Sequence, residues 1–190
     1  RQGEWRARIE ETKKRVAVLH LVEQARIQES GPDLDLCFAP LKHARLDYLV
    51  QKAVEMGAAR LRPVLTRRTQ VSRLNLERMR ANAVEAAEQC GILRVPDVEL
   101  EVALDRMIAA WPADRLLVFC DESAEIGDPV AALRAAPGLR KAALLIGPEG
   151  GFDEKERAHL LSVPNVLRLS LGPRILRADT AAVAGMTLIQ

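Results

Sequence analysis

The sequence predicts an α/β fold in which a parallel sheet is covered by helices on both faces. Two observations carry that prediction. From Leu34 onward, short apolar runs alternate with segments whose apolar residues recur at helical spacing. Two of the runs, residues 116–120 (LLVFC) and 142–146 (AALLI), are apolar at every position, the mark of strands buried on both faces. Composition allows the core such a fold needs: 190 residues, 48% of them hydrophobic, suffice for one ordinary domain.

Residues 1–15 are polar and basic and read as an arm. Residues 16–22 (VAVLHLV), rich in branched apolar side chains, read as a strand. Ser30-Gly31-Pro32-Asp33 then punctuates the chain and marks the best domain boundary. The reading is a remnant of an N-terminal β domain over 1–32, followed by an α/β domain over 33–190. Residues 34–38 form its first strand. Residues 42–56 carry Leu46, Leu49, Val50, Ala53 and Met56 on one helical face, and Gly57 can stop that helix. Residues 61–65 are a strand in which Pro63 suits an edge or an end. A second helix over 74–90 stops at Gly91. A short strand at 98–100 and a short helix at 104–110 precede the buried strand 116–120, which runs into Asp121-Glu122. A helix over 129–135 leads to the buried strand 142–146. Asp153 with Glu156 has the form of a capping box and opens a helix over 153–162. Residues 166–169 are a strand, 170–177 a loop, and a helix of small residues starts at Asp179.

Composition also excludes functions. With 28 Lys+Arg against 26 Asp+Glu the net charge is +2, so affinity for a polyanion must come from local clustering. Six aromatic residues are too few for recognition built on base-stacking platforms. Cys37, Cys90 and Cys120 are odd in number and scattered, which predicts a reduced, cytoplasmic setting and no disulfide framework. His20, His43 and His159 lack ligand spacing, and no metal is expected. No apolar stretch reaches the ~18 residues of a membrane span. The sequence holds no P-loop, no ordinary Rossmann fingerprint, no GxSxG elbow and no HExxH.

Two strand-end segments stand out. The first is Ile146-Gly147-Pro148-Glu149-Gly150-Gly151-Phe152. Ligands of open α/β sheets bind beyond the carboxyl ends of strands, and three glycines there let main-chain groups approach a ligand. The same residues also read as a plain tight turn with Glu149 at the surface. The second is Leu169-Ser170-Leu171-Gly172-Pro173-Arg174-Ile175-Leu176-Arg177. Its small and apolar residues suit an adenine ring, and Arg174 and Arg177 could grip a phosphate or stabilise an anion. A solvated salt bridge to Asp179 is the plainer alternative. A third feature is basic: Arg60, Arg62, Arg67, Arg68, Arg73, Arg78 and Arg80 face one acid, Glu77. Such a cluster is an electrostatic footprint for a phosphate backbone, or an ordinary solvated helix face.

In series, these motifs resemble the RsmE family, the 16S ribosomal RNA uracil-N3 methyltransferases of the SPOUT superfamily. The resemblance rests on residues 145–156 (LIGPEGGFDEKE) and 169–181 (LSLGPRILRADTA). Upstream, Lys42, Arg45-Leu46 and residues 51–57 (QKAVEMG), residues 61–69 (LRPVLTRRT) and Glu88-Gln89-Cys90-Gly91 are similar to the family's first helix, next strand and second helix end. The chain departs from the family at Ala178-Asp179, where Thr-Glu is usual, and at Ile92, where Arg is usual. The resemblance implies a SPOUT-type α/β fold with a C-terminal trefoil knot, preceded by the remnant of a PUA-like barrel. It implies methylation of N3 of a uridine (uridine 1498) in small-subunit 16S ribosomal RNA. It implies a homodimer, and S-adenosylmethionine bound by Phe119, by Ile146, Gly147, Pro148, Glu149, Gly150 and Gly151, and by Leu169, Ser170, Leu171, Gly172, Ile175, Leu176 and Arg177. Arg174, Arg177 and Glu149 are the catalytic candidates, and Arg62, Arg67, Arg68, Arg73 and Gln89 the RNA contacts. A related methyltransferase acting on transfer RNA or a ribose 2′-hydroxyl, and a catalytically silent RNA-binding protein, are the competing readings.

Overall fold

The polar N-terminal segment is a strand. In the computed structural model, which describes residues 2–71, 73–125, 127–137 and 140–190, β1 (Glu4–Lys13) pairs antiparallel with β2 (Val16–Arg26). Reading residues 1–15 as an arm missed β1, although Trp5, Ala7 and Ile9 alternate with Arg6, Arg8 and Glu10, and Ala7 and Ile9 face Leu21 and Leu19 across the pair. Arg6 meets Glu23 at 2.6 Å and His20 meets Glu10 at 3.3 Å. These exposed pairs add only a little to the backbone ladder that joins the two strands. Only Trp5 and Leu21 in this hairpin are half-buried; the rest is exposed. It is tied to the α/β body by Arg26 Nη2, donating to Gly91 O at 2.9 Å, and by Gln28 Nε2, donating to Leu93 O at 3.0 Å.

From Asp33 the expected alternation is present. The strands are β3 (Asp33–Phe38), β4 (Arg60–Leu65), β5 (Asp97–Val98), β6 (Val102–Ala103), β7 (Leu116–Cys120), β8 (Lys141–Ile146) and β9 (Val166–Leu169). The helices are α1 (His43–Glu55), α2 (Leu76–Gln89), α3 (Leu104–Ala109), α4 (Pro129–Ala135), α5 (Glu154–Leu161) and α6 (Ala178–Ile189). All strand pairs in this sheet are parallel, in the order β5-β4-β3-β8-β7-β9, with β6 on β4. Pro63 is at neither a sheet edge nor a strand end. It falls where β4 exchanges one short outer partner for another, between Leu61↔Val98 and Val64↔Val102, so its missing N–H breaks no ladder.

Alternate residues of the central strands feed two cores. Leu116, Val118, Ala142, Leu144 and Ile146 pack with α1, α2 and α6, while Leu117, Phe119, Ala143 and Leu145 pack on the side of α3 and α5. The small residues of α6 have a purpose here: at Gly185 any Cβ would stand 2.8 Å from Leu144 Cδ2, so the helix lies close on β8. Helix starts follow the sequence. Asn75 Oδ1 accepts from Arg78 N at 3.0 Å, Asp128 caps α4, and Asp153 with Glu156 closes the expected capping box on α5. Among the described residues no helix is long and apolar enough to cross a membrane.

Candidate active site

Strands β8, β7 and β9 are neighbours, so the loops that leave their carboxyl ends converge. Asp121 N donates to Leu169 O at 3.1 Å and ties the loop after β7 to the end of β9. The three loops enclose a cleft of about 510 Å³, in the size range of small-molecule sites. Its lining brings together most of the residues singled out from sequence: Ile146 through Gly151, Ser170, Leu171, Gly172, Arg174, Ile175, Leu176 and Arg177. Two expected contributors are elsewhere. The Phe119 side chain is fully buried on the α5 side, edge-on to Phe152 with ring centroids 5.8 Å apart. The Leu169 side chain is buried in the opposite core. In both cases strand alternation, which the sequence shows, points the side chain into the core, and Cys120 lines the cleft next to Phe119.

The glycine loop has the geometry of a close main-chain approach. At Gly147 a Cβ would lie 2.8 Å from Phe152 Cε2, in the core. Gly151 has φ +66°, donates to Pro148 O at 2.8 Å, and leaves no room for a Cβ beside the Glu122 carboxylate. On the facing loop Gly172 has φ +106° and open space where a Cβ would stand, so the wall there is bare main chain.

Asp121, Glu122, Cys120, Ala178, Ala181 and Arg45 line the cleft as well. Asp121 is only 2% exposed. Burial alone would raise its pKa, but hydrogen bonds from Arg157, from the Ser123 backbone and hydroxyl, and from Arg168 hold it below the ordinary carboxylate range. One buried carboxylate thus joins the β7 loop, α5 and β9. Burial pushes the Cys120 thiol up to about 12, which keeps it protonated and excludes it as a thiolate nucleophile. Arg45 Nη1 lies 3.1 Å from Glu149 Oε1 across 104 residues of sequence. The acidic pair after β7 was visible in sequence only as a pair of acids, and Arg45 only as a helix position.

The arginine-rich stretch does not act as one patch. Arg60 is tied to Asp33 and Asp35, and Arg78 to Asp47. Arg62 is half-buried and engaged: its Nε donates to Glu99 at 2.7 Å, Asp35 lies 3.6 Å away, and it stacks over Trp111. Arg67, Arg68, Arg73 and Gln89 are exposed. Arg68 Nη1 donates to Gly150 O at 2.5 Å and Arg67 pairs with Asp153 at 3.2 Å, so the basic loop after β4 abuts the glycine loop.

Comparison with known proteins agrees with this arrangement. The family model of the RNA methyltransferase domain matches residues 28–190. The chain is 27% identical to the ribosomal RNA small subunit methyltransferase E of Rickettsia conorii, over 99% of this chain and 76% of that protein. It is 33% identical to the enzyme of the same name from Bacillus subtilis, over 78% of this chain and 61% of that one. Among solved structures, the ribosomal RNA small subunit methyltransferase E of Neisseria gonorrhoeae bound to S-adenosyl methionine superposes with a TM-score of 0.83 at 26% identity, covering 97% of this chain and 76% of that one.

Proposed function

The chain belongs to the RNA methyltransferase domain family, and from that premise we propose that it transfers a methyl group from S-adenosylmethionine to N3 of a uridine in 16S ribosomal RNA. The observation that carries this reading is the cleft at the ends of β7, β8 and β9, where the glycine loop and residues 170–177 form facing walls of main chain and small side chains. Those walls fit the cofactor: the bare main chain at Gly172, with open space where a Cβ would stand, can receive an adenosyl group, and Ser170, Leu171, Ile175 and Leu176 would flank it. S-adenosylmethionine, when bound, supplies a methyl group already activated on a sulfonium.

The protein's own task is then to position the ring and favour loss of the N3 proton. Arg174 and Arg177 are exposed on the cleft wall and, among the described residues, have no ion-pair partner, so their donors are available to a developing oxyanion. Arg67, Arg68 and Arg73 would contact phosphates and set register without reading sequence. The low-lying Asp121 carboxylate fixes the loop that carries Glu122 and Cys120 to the cleft.

The wider reading follows the resemblance: a knotted SPOUT domain working as a cytoplasmic homodimer, with the β1–β2 hairpin as the remnant of a PUA-like RNA-binding barrel. The chain's path supports the first part. After β9 at the sheet edge, residues 170–177 return past β7 so that α6 packs on α1 and β8. The test is direct. Incubation with small ribosomal subunits lacking the modification, followed by nuclease digestion and mass spectrometry, is expected to give 3-methyluridine in 16S RNA. Methylation on a ribose hydroxyl instead, or none at all, would overturn the assignment.

A further inference from the structure

Arg45 stands in the first turn of α1, a turn with no acidic residue that already follows Lys42 and contains His43. The positive end of the helix dipole disfavours cations there, so helix stability gives no reason for this arginine. Its side chain reaches instead to the glycine loop, where Nη1 pairs with Glu149 Oε1 at 3.1 Å. The side chains are 32% and 58% exposed, so the pair adds little to folding. Both residues line the cleft. Arg45 enters it from a different segment than Arg174 and Arg177, and pairing with Glu149 occupies only part of its five-donor fork.

Resting on the function proposed above, we infer that Arg45 is a catalytic residue facing the RNA, and that Glu149 is the positioning residue that holds it at the cleft mouth. When the N3–H bond breaks, its electron pair stays on the pyrimidine and the proton passes to water. The negative charge spreads to the flanking carbonyl oxygens. Arg45 donates to one of them, and its contact strengthens as that charge develops. Glu149, already paired with Arg45, acts through that arginine rather than as a base.

The experiment measures methyl transfer from labelled S-adenosylmethionine to unmodified small subunits by wild type, Arg45→Ala, Glu149→Ala and the double variant. Calorimetry with S-adenosylhomocysteine and thermal melting accompany it. Arg45→Ala is expected to lower kcat about 100-fold, the scale of losing one oxyanion donor. KM for subunits and Kd for S-adenosylhomocysteine are expected to shift less than about threefold, the signature of an interaction made only in the transition state. The melting temperature is expected to hold, because alanine is the better helix former. Glu149→Ala is expected to be milder, and the double variant no slower than Arg45→Ala alone. Unchanged kcat in Arg45→Ala, a rise in KM alone (a phosphate contact), or multiplying losses in the double variant would overturn the inference. Wild type that neither binds S-adenosylhomocysteine nor methylates RNA would instead bring down the function on which the inference rests.

Discussion

The two ends of the parallel sheet use the same residue types for opposite purposes. At the amino ends of the strands, Arg115 donates to both Asp33 oxygens at 2.8 and 2.9 Å, Arg60 pairs with Asp33 and Asp35, and Lys141 pairs with Asp114 at 2.5 Å. Charge is matched and the end is closed. At the carboxyl ends, Arg174 and Arg177 line an open cleft and, among the described residues, form no ion pair, although Asp121, Glu122 and Glu149 line the same cleft, and three glycines replace side chains. The contrast extends to two buried carboxylates. Asp35 carries no well-aligned hydrogen bond, and burial raises its pKa despite Arg115 and Arg60. Asp121 receives aligned donors and its pKa is lowered. Matched charge locks the fold at one end; at the other, Asp121 and Glu149 are paired but Arg174 and Arg177 are left for a ligand.

The sharpest way to break this contrast is to mutate across it. Arg115→Ala removes two hydrogen bonds to Asp33 and one of the cations around Asp35, with Arg60 still paired to both, and is expected to cost about 1–3 kcal/mol in urea unfolding, with donor affinity unchanged while the chain is folded. Arg177→Ala should do the reverse: activity falls about 100-fold while stability stays within about 0.5 kcal/mol, as for other exposed sites. Gly151→Ala, which forces a side chain into a left-handed position beside Glu122, is expected to cost about 1–2 kcal/mol and to weaken donor binding.

Acid titration separates the two carboxylates. The Asp121 pKa is depressed in the folded state, so as pH falls the unfolded chain takes up that proton first. Its stabilisation is full above the unfolded value near 3.8 and is lost as pH drops below it. Urea midpoints measured from about pH 6 down to 3 are expected to fall less steeply for Asp121→Asn than for wild type. The smallest effect is assigned to the basic loop: Arg73→Ala is expected to raise the subunit KM a few-fold and reduce the salt slope of RNA binding by about one.

Most of this fold was legible because its signals are local. Uninterrupted apolar runs gave β7 and β8, and Asp153 with Glu156 gave the start of α5. What was not legible depended on contacts distant in sequence. The hairpin strand β1 carries only a three-residue apolar alternation, Trp5, Ala7 and Ile9, inside a charged segment, and its apolar partners Leu19 and Leu21 lie on β2. The arginine run 60–80 looks uniform in sequence, yet Asp33, Asp35, Glu99 and Asp47 engage three of its members, Arg60, Arg62 and Arg78, in ion pairs within the domain. The cleft loops could be read from glycines at strand ends, but the turn of each strand that buries Phe119 and Leu169 decides which neighbours face the ligand. Arg45 was singled out only within the motif similar to the family's first helix; its place at the cleft was not legible, because only the folded chain brings a first-turn helix residue to a loop 104 positions later.

The most direct measurement is calorimetric titration of S-adenosylmethionine into the wild-type chain and into Gly172→Arg, with thermal melting to verify that both are folded. Gly172 offers the test because its Cβ would project into open space at the cleft wall. Binding of one equivalent by wild type, abolished in the folded variant, is the expected result. Equal binding by both proteins, or no binding by a folded wild type, would contradict the assignment of the methyl donor to this cleft.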